Sequence, residues 1–140
     1  MGWFRVDWYL ISNMAKFISI ENRNRSIAGE LSIKFCDTFL TQLRGLTFRT
    51  RLARDEGLIL AGKRDSRLDS SIHMLFVSFD LTVVWINSDM KVVDKILAKS
   101  WRPAYFPKAP AKYVLEIHPD RWENFEIGDV VQFTYCCMKL

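Results

Sequence analysis

Two histidines, three cysteines and a spread of carboxylates and basic side chains carry whatever chemistry this 140-residue chain performs. His73, His118, Cys36, Cys136, Cys137, Asp80 and Glu116 together include every ligand type zinc favours. Their spacing does not suit it: there is no C-x-x-C and no H-x-x-x-H, and adjacent cysteines on a strand point to opposite faces. No metal and no cofactor is expected. His73 lies among apolar neighbours, where a satisfied, half-buried imidazole is commoner than a general base, and no Ser or Cys sits in a nucleophile turn. Asp80, Glu116 and Asp129 can supply a carboxylate pair for acid-base work, or serve structure instead, Glu116 reaching a neighbouring Arg and Asp129 capping a turn after Gly128. Arg44, Arg49, Arg51 and Arg54, with Lys63, Arg64 and Arg67, offer guanidinium and ammonium groups to an anion. The same residues also read as a solvated face paired with Asp55, Glu56, Asp65 and Asp69. Trp101, Tyr105 and Phe106 can form an aromatic rim for a sugar or a base, or a lid over the core.

The elements that must position these groups are mainly strands. Residues 72–79 are apolar apart from His73 and Ser78, and after Asp80 the run 81–86 leads into Asn87, Ser88 and Asp89 and then Val92 and Val93. That pattern predicts two buried strands and a hairpin, with neither half near the roughly 18 apolar residues of a membrane span. Before it, 17–20 and 27–35 predict a half-buried hairpin, 38–44 a short helix capped by Asp37 and left at Gly45, and 47–56 an irregular loop or second short helix. Residues 57–60 predict a strand and the polar 61–70 a surface connection. After the central hairpin, 91–99 predict a strand, and 100–111 a loop stiffened by Pro103, Pro107 and Pro110. Residues 112–117 alternate as a strand, Pro119 opens a helix over 120–125, and 130–135 close the fold as a last strand. No repeat or interdomain linker interrupts this order.

Composition points the same way. With 49% hydrophobic and 14% aromatic residues, the chain can build one sizeable core. The net charge of +4 is too mild for a dedicated nucleic-acid binder, and nucleic acid is not an expected partner. An odd cysteine count in a chain of this size suits a reducing cytoplasm. Arg5 and Asp7 interrupt the apolar start, and Val6 stands where myristoylation asks for Ser or Thr, so neither export nor a lipid anchor is predicted. No membrane partner is expected.

From about Lys16 to Phe133 the chain resembles the family catalogued as domain of unknown function 192. The likeness is carried by Arg44-Gly45-Leu46 with Arg49, Glu56-Gly57-Leu58-Ile59-Leu60, Met74, Ala111-Lys112-Tyr113-Val114-Leu115-Glu116 and Gly128-Asp129-Val130. It implies a compact, mostly β domain with short helices at its edge, and implies no established reaction. Three departures stand out: His73 where the family often has Trp, Asp80-Leu81-Thr82 at its Pro-x-Asp element, and Met90 at a turn position commonly held by Gly. A turn of different geometry is expected at Met90.

These readings combine into a β-sandwich or barrel-like, mostly antiparallel domain over 14–140 with two or three short helices, preceded by an extension or arm over 1–13. Its expected role is a non-catalytic module for a small molecule or a protein partner, monomeric or weakly dimeric, with Arg44, Arg49, His73, Trp101 and Glu116 as ligand-binding residues. The alternatives are a small hydrolase-like enzyme using Glu116 or Asp80 with His73, and weak nucleic-acid binding through the basic loops. If 1–13 is an arm covering a sheet edge, deleting it lowers the melting temperature; if it is a mere extension, calorimetry shows no change.

Overall fold

The computed structural model describes residues 16–36 and 51–135. Seven strands account for most of them: β1 Lys16–Asn22, β2 Ser32–Cys36, β3 Glu56–Ser66, β4 Leu81–Ile86, β5 Val92–Ala98, β6 Ala111–Ile117 and β7 Val131–Tyr135. They form one sheet in the order β5-β4-β6-β3-β2-β1-β7, antiparallel except where β2 runs parallel to β3. The fold is therefore mainly β and mostly antiparallel as expected, but it is one sheet with a core on each face rather than two stacked sheets. At one end its edges meet, with Val92 N donating to Asp129 O, Gly128 N to Val92 O and Val131 N to Met90 O at 2.8–2.9 Å.

Strand alternation divides the cores. Leu58, Val83, Trp85 and Val114 face one side, with Cys36, Leu52, Ile72, Met74 and Val77. Ile18, Ile33, Ile59, Val84, Leu115 and Ile117 face the other, with Phe125 and Val131. Every residue of β4 is buried, which explains why 81–86 reads as a largely apolar, β-branched run with no solvent face.

Several expectations need correcting. Residues 72–79 are not a strand of the sheet; Ile72 bridges Tyr105 alone, and Phe76 takes a left-handed φ of 62°. The segment is apolar because Ile72, Met74 and Val77 plug the first core, and periodicity does not separate such a buried loop from a strand. The hairpin is β4–β5. Its Met90 does adopt φ 62°, in place of the different turn expected, at about 1–2 kcal/mol for a side chain where Gly strains nothing. The strand expected over 27–35 is only β2, whereas β3 extends through Ser66 into the polar connection, with a register irregularity between Ala61 and Ser66. Among the described residues the helical content is one 3-10 helix, Pro119–Asn124, opened by Pro119 and by His118 Nδ1 accepting from Asp120 N. Residues 51–55 are coil and turn, and the helix expected over 38–44 lies outside the described residues.

Gly57 shows what holds the sheet centre. A Cβ there would collide with Ile33 Cδ1, sit 2.9 Å from Ile117 Cγ2 and 3.1 Å from Glu116 O. Its neighbours on β2 and β6 fill the space a side chain would need. Gly57→Ala is expected to destabilise the fold by about 1–3 kcal/mol through overpacking, read as a lower urea midpoint at unchanged slope.

Candidate functional site

On β6, Val114 packs into the first core while Leu115 and Ile117 pack into the second. Alternation therefore turns Glu116 toward the first face, where its register neighbours are Val83 on β4 and Leu58 on β3. Glu116 is 7% exposed, and no donor among the described residues reaches its carboxyl group. Burial alone pushes its pKa up to about 7, since an ionised carboxylate there loses its water without gaining a partner.

Two loops cover this face. Met74 N donates to Arg102 O and Trp101 N to Met74 O, each at 2.9 Å, and the Ile72 and Tyr105 backbones pair at 2.9–3.0 Å. Asp80 fastens the far end by accepting from Ser100 N at 2.9 Å and Lys99 Nζ at 3.3 Å; the amide bond foremost, then the ammonium, holds its pKa below the usual range. Asp94 holds the proline-rich loop by accepting from Lys108 N. Met74, packed inward, shares the core with Leu58 and Val83, the two residues flanking Glu116.

The five ligand-binding candidates thus fall into three groups. Glu116 is on the sheet face. His73 is exposed between the inward-facing Ile72 and Met74, and Trp101 is exposed beside Phe76, ring centroids 5.5 Å apart. The loop pairing brings His73 and Trp101 onto adjacent backbone stretches, on the outer side of the cover. Arg44 and Arg49 lie outside the described residues. No three His, Cys, Asp or Glu side chains among the described residues gather closely enough to hold an ion.

A polar centre of a different kind escaped sequence reasoning. Asp129 is 7% exposed at its side chain and accepts from Arg25 Nε at 2.6 Å, Arg25 Nη2 at 3.1 Å, Asn22 Nδ2 at 2.7 Å and Glu126 N at 2.8 Å. The bond from Arg25 leads these influences, and together they hold its pKa down at about 2. Arg121, also buried, donates to the Arg54 and Ala28 carbonyls, tying the 3-10 helix to both connections flanking β2. Lys95 Nζ donates to Trp122 O and Phe125 O and lies 4.0 Å from the Trp122 ring centroid. These partners are too far apart in sequence for spacing to reveal them. The only local signal was Asp129 after Gly128, and it indicates a turn.

A seven-stranded, mostly antiparallel sheet, with Glu116 on the face that paired loops cover, defines a small, mainly β domain. The family model for domain of unknown function 192, described as uncharacterized ACR, matches residues 20–133, and the chain belongs to that family. Among its relatives are UPF0127 proteins. That of Thermococcus kodakarensis is 34% identical over 82% of this chain and 73% of its own length, and that of Pyrococcus horikoshii 32% over 81% and 97%. Solved structures share the fold. A Sinorhizobium meliloti protein provisionally named a transcription regulator superposes with a TM-score of 0.72 at 16% identity, covering 85% of this chain and 93% of that one. A Novosphingobium aromaticivorans protein of unknown function gives 0.69 at 20% identity, covering 84% of each.

The two shifted carboxyl groups predict opposite pH effects. Folded Glu116 keeps its proton while the unfolded chain has released it, so stability falls as pH rises from about 4.5 to about 7, by roughly 3 kcal/mol, and then levels off. Glu116→Gln is expected to remove that slope and to be the more stable protein at about pH 8 in urea denaturation. Asp129 contributes stability that is complete above about pH 4 and is lost as pH falls toward 2. Asp129→Asn is expected to lose about 1–2 kcal/mol at neutral pH, Arg25 being partly open to solvent, and to flatten the acid limb of the stability curve.

Proposed function

We propose that this protein is a non-catalytic binding module that takes a small ligand at Glu116. One observation carries the reading: a carboxyl group on a sheet face among Leu58, Val83 and Met74, with no donor from the described residues. Structural carboxylates are ordinarily paired, as Asp129 and Asp94 are here, so one with no partner among the described residues suits a ligand that brings a donor or cation. The paired loops cover this face, with Trp101 and His73 on their outer surface. Catalysis fits less well. His73 emerges between two inward-facing residues, away from the face that carries Glu116, and Asp80 is engaged by Ser100 and Lys99. On this reading the domain is a soluble cytoplasmic protein, monomeric or weakly dimeric, and Arg44 and Arg49 are further candidates for ligand contact.

The test is a thermal-shift screen of amines, nucleotides, sugars and simple anions at about pH 5 and about pH 8, where Glu116 is respectively protonated and ionised. A hit that raises the melting temperature of the wild-type protein, and not of Glu116→Gln, supports the site. A hit retained at full strength in the variant places binding elsewhere. Turnover abolished by His73→Ala would replace the reading with an enzymatic one.

A further inference from the structure

Outside the Glu116 site, the two covering loops carry an unusual surface. Leu75, Phe76, Trp101 and Phe106 are exposed by 40%, 49%, 56% and 52%, large apolar side chains that ordinary burial would have taken in. Phe76 and Trp101 touch edge to face, and both adopt left-handed backbone angles, φ 62° and 64°. Backbone bonds between Met74 and residues 101 and 102 fix these conformations from below. The apolar tip is thus held outward by the fold.

The loops themselves carry charge of one sign. Residues 72–79 and 99–110 contain Lys99, Arg102 and Lys108 and no carboxylate, against a net charge of +4 for the whole chain. Two acids touch the loops from outside: Asp80 accepts from Ser100 N and Lys99, and the buried Asp94 accepts from Lys108 N. Leu75 discriminates between polyanionic partners. An aliphatic side chain gains nothing from phosphate or a stacked base, whereas it gains from acyl chains, and Trp and Phe suit the interfacial layer above them.

We propose that loops 72–79 and 99–110 form a docking surface for an anionic lipid bilayer, Leu75, Phe76 and Trp101 entering the interface and Arg102 and Lys108 meeting the headgroups. Among the described residues no helix is long and apolar enough to cross a membrane, and surface contact needs no such span. It needs no lipid anchor either, so the sequence signals that argued against a membrane partner concern a different mode of attachment.

The experiment is co-sedimentation of the full chain with vesicles of phosphatidylcholine alone and of phosphatidylcholine with phosphatidylglycerol. Binding to the anionic vesicles is expected to be at least ~10-fold tighter, the order that two cations produce near such a surface, and to weaken with salt. The double variant Leu75→Ser, Trp101→Ala is expected to lose at least ~10-fold in binding to anionic vesicles, with melting temperature as the control for folding. If that variant is unstable, quenching by brominated lipid decides: removing Trp101 as Trp101→Phe must abolish most of the wild-type quenching. Equal binding to both vesicle types, no binding, or quenching unchanged in Trp101→Phe overturns the proposal. So does binding of oligothymidylate but not vesicles, with affinity unaffected by Leu75→Ser.

Discussion

The central strands β4 and β6 must bury both of their faces, and most of the architecture follows from that constraint. A strand between two cores has no wet side on which to place a polar group, so β4 is apolar except for Thr82, whose hydroxyl donates to Pro119 O, and β6 is nearly so. The first core needs a cover that the sheet does not provide, and the loops around Met74 and Trp101 supply it with few regular hydrogen bonds. The exception on β6 is Glu116. Placed on an outer strand it would be an ordinary solvated acid; placed here it must hold a proton to near neutrality or bear its charge without water.

The same constraint explains what the sequence disclosed. β4, β5 and β6 were legible because β-branched and apolar residues at strand periods have few other uses, and Asn87-Ser88-Asp89 marks the reversal. Residues 72–79 were misread for the same reason, since a plug facing a core is as apolar as a strand. Met90 was misjudged because propensity disfavours a left-handed Met, while the bonds around it, Met90 N donating to Asn87 O and Val131 N to Met90 O, fix the turn regardless.

The candidate site was half visible. Glu116 drew notice as a carboxylate within the Ala111–Glu116 block, but its apolar surroundings depend on the register that sets Leu58 and Val83 beside it, and register is a long-range property. His73 and Trp101 were chosen for residue type, and the pairing of loops around Met74 set them together on the outer surface. Asp129 was invisible as a centre because its chief partner, Arg25, is 104 positions away.

That separation bears on how the protein comes into being. β1, the first described strand, lies between β2 and the last strand, β7, pairing from Ile18↔Tyr135 to Asn22↔Val131. A chain emerging from the ribosome can form the β4–β5 hairpin early, yet β1 lacks its β7 partner, and Arg25 its carboxylate, until more than 100 further residues are made. Closure between strands so far apart in sequence carries a large loop entropy and tends to come late. During synthesis the nascent domain therefore presents an open strand edge to other chains until β7 emerges and ends that exposure.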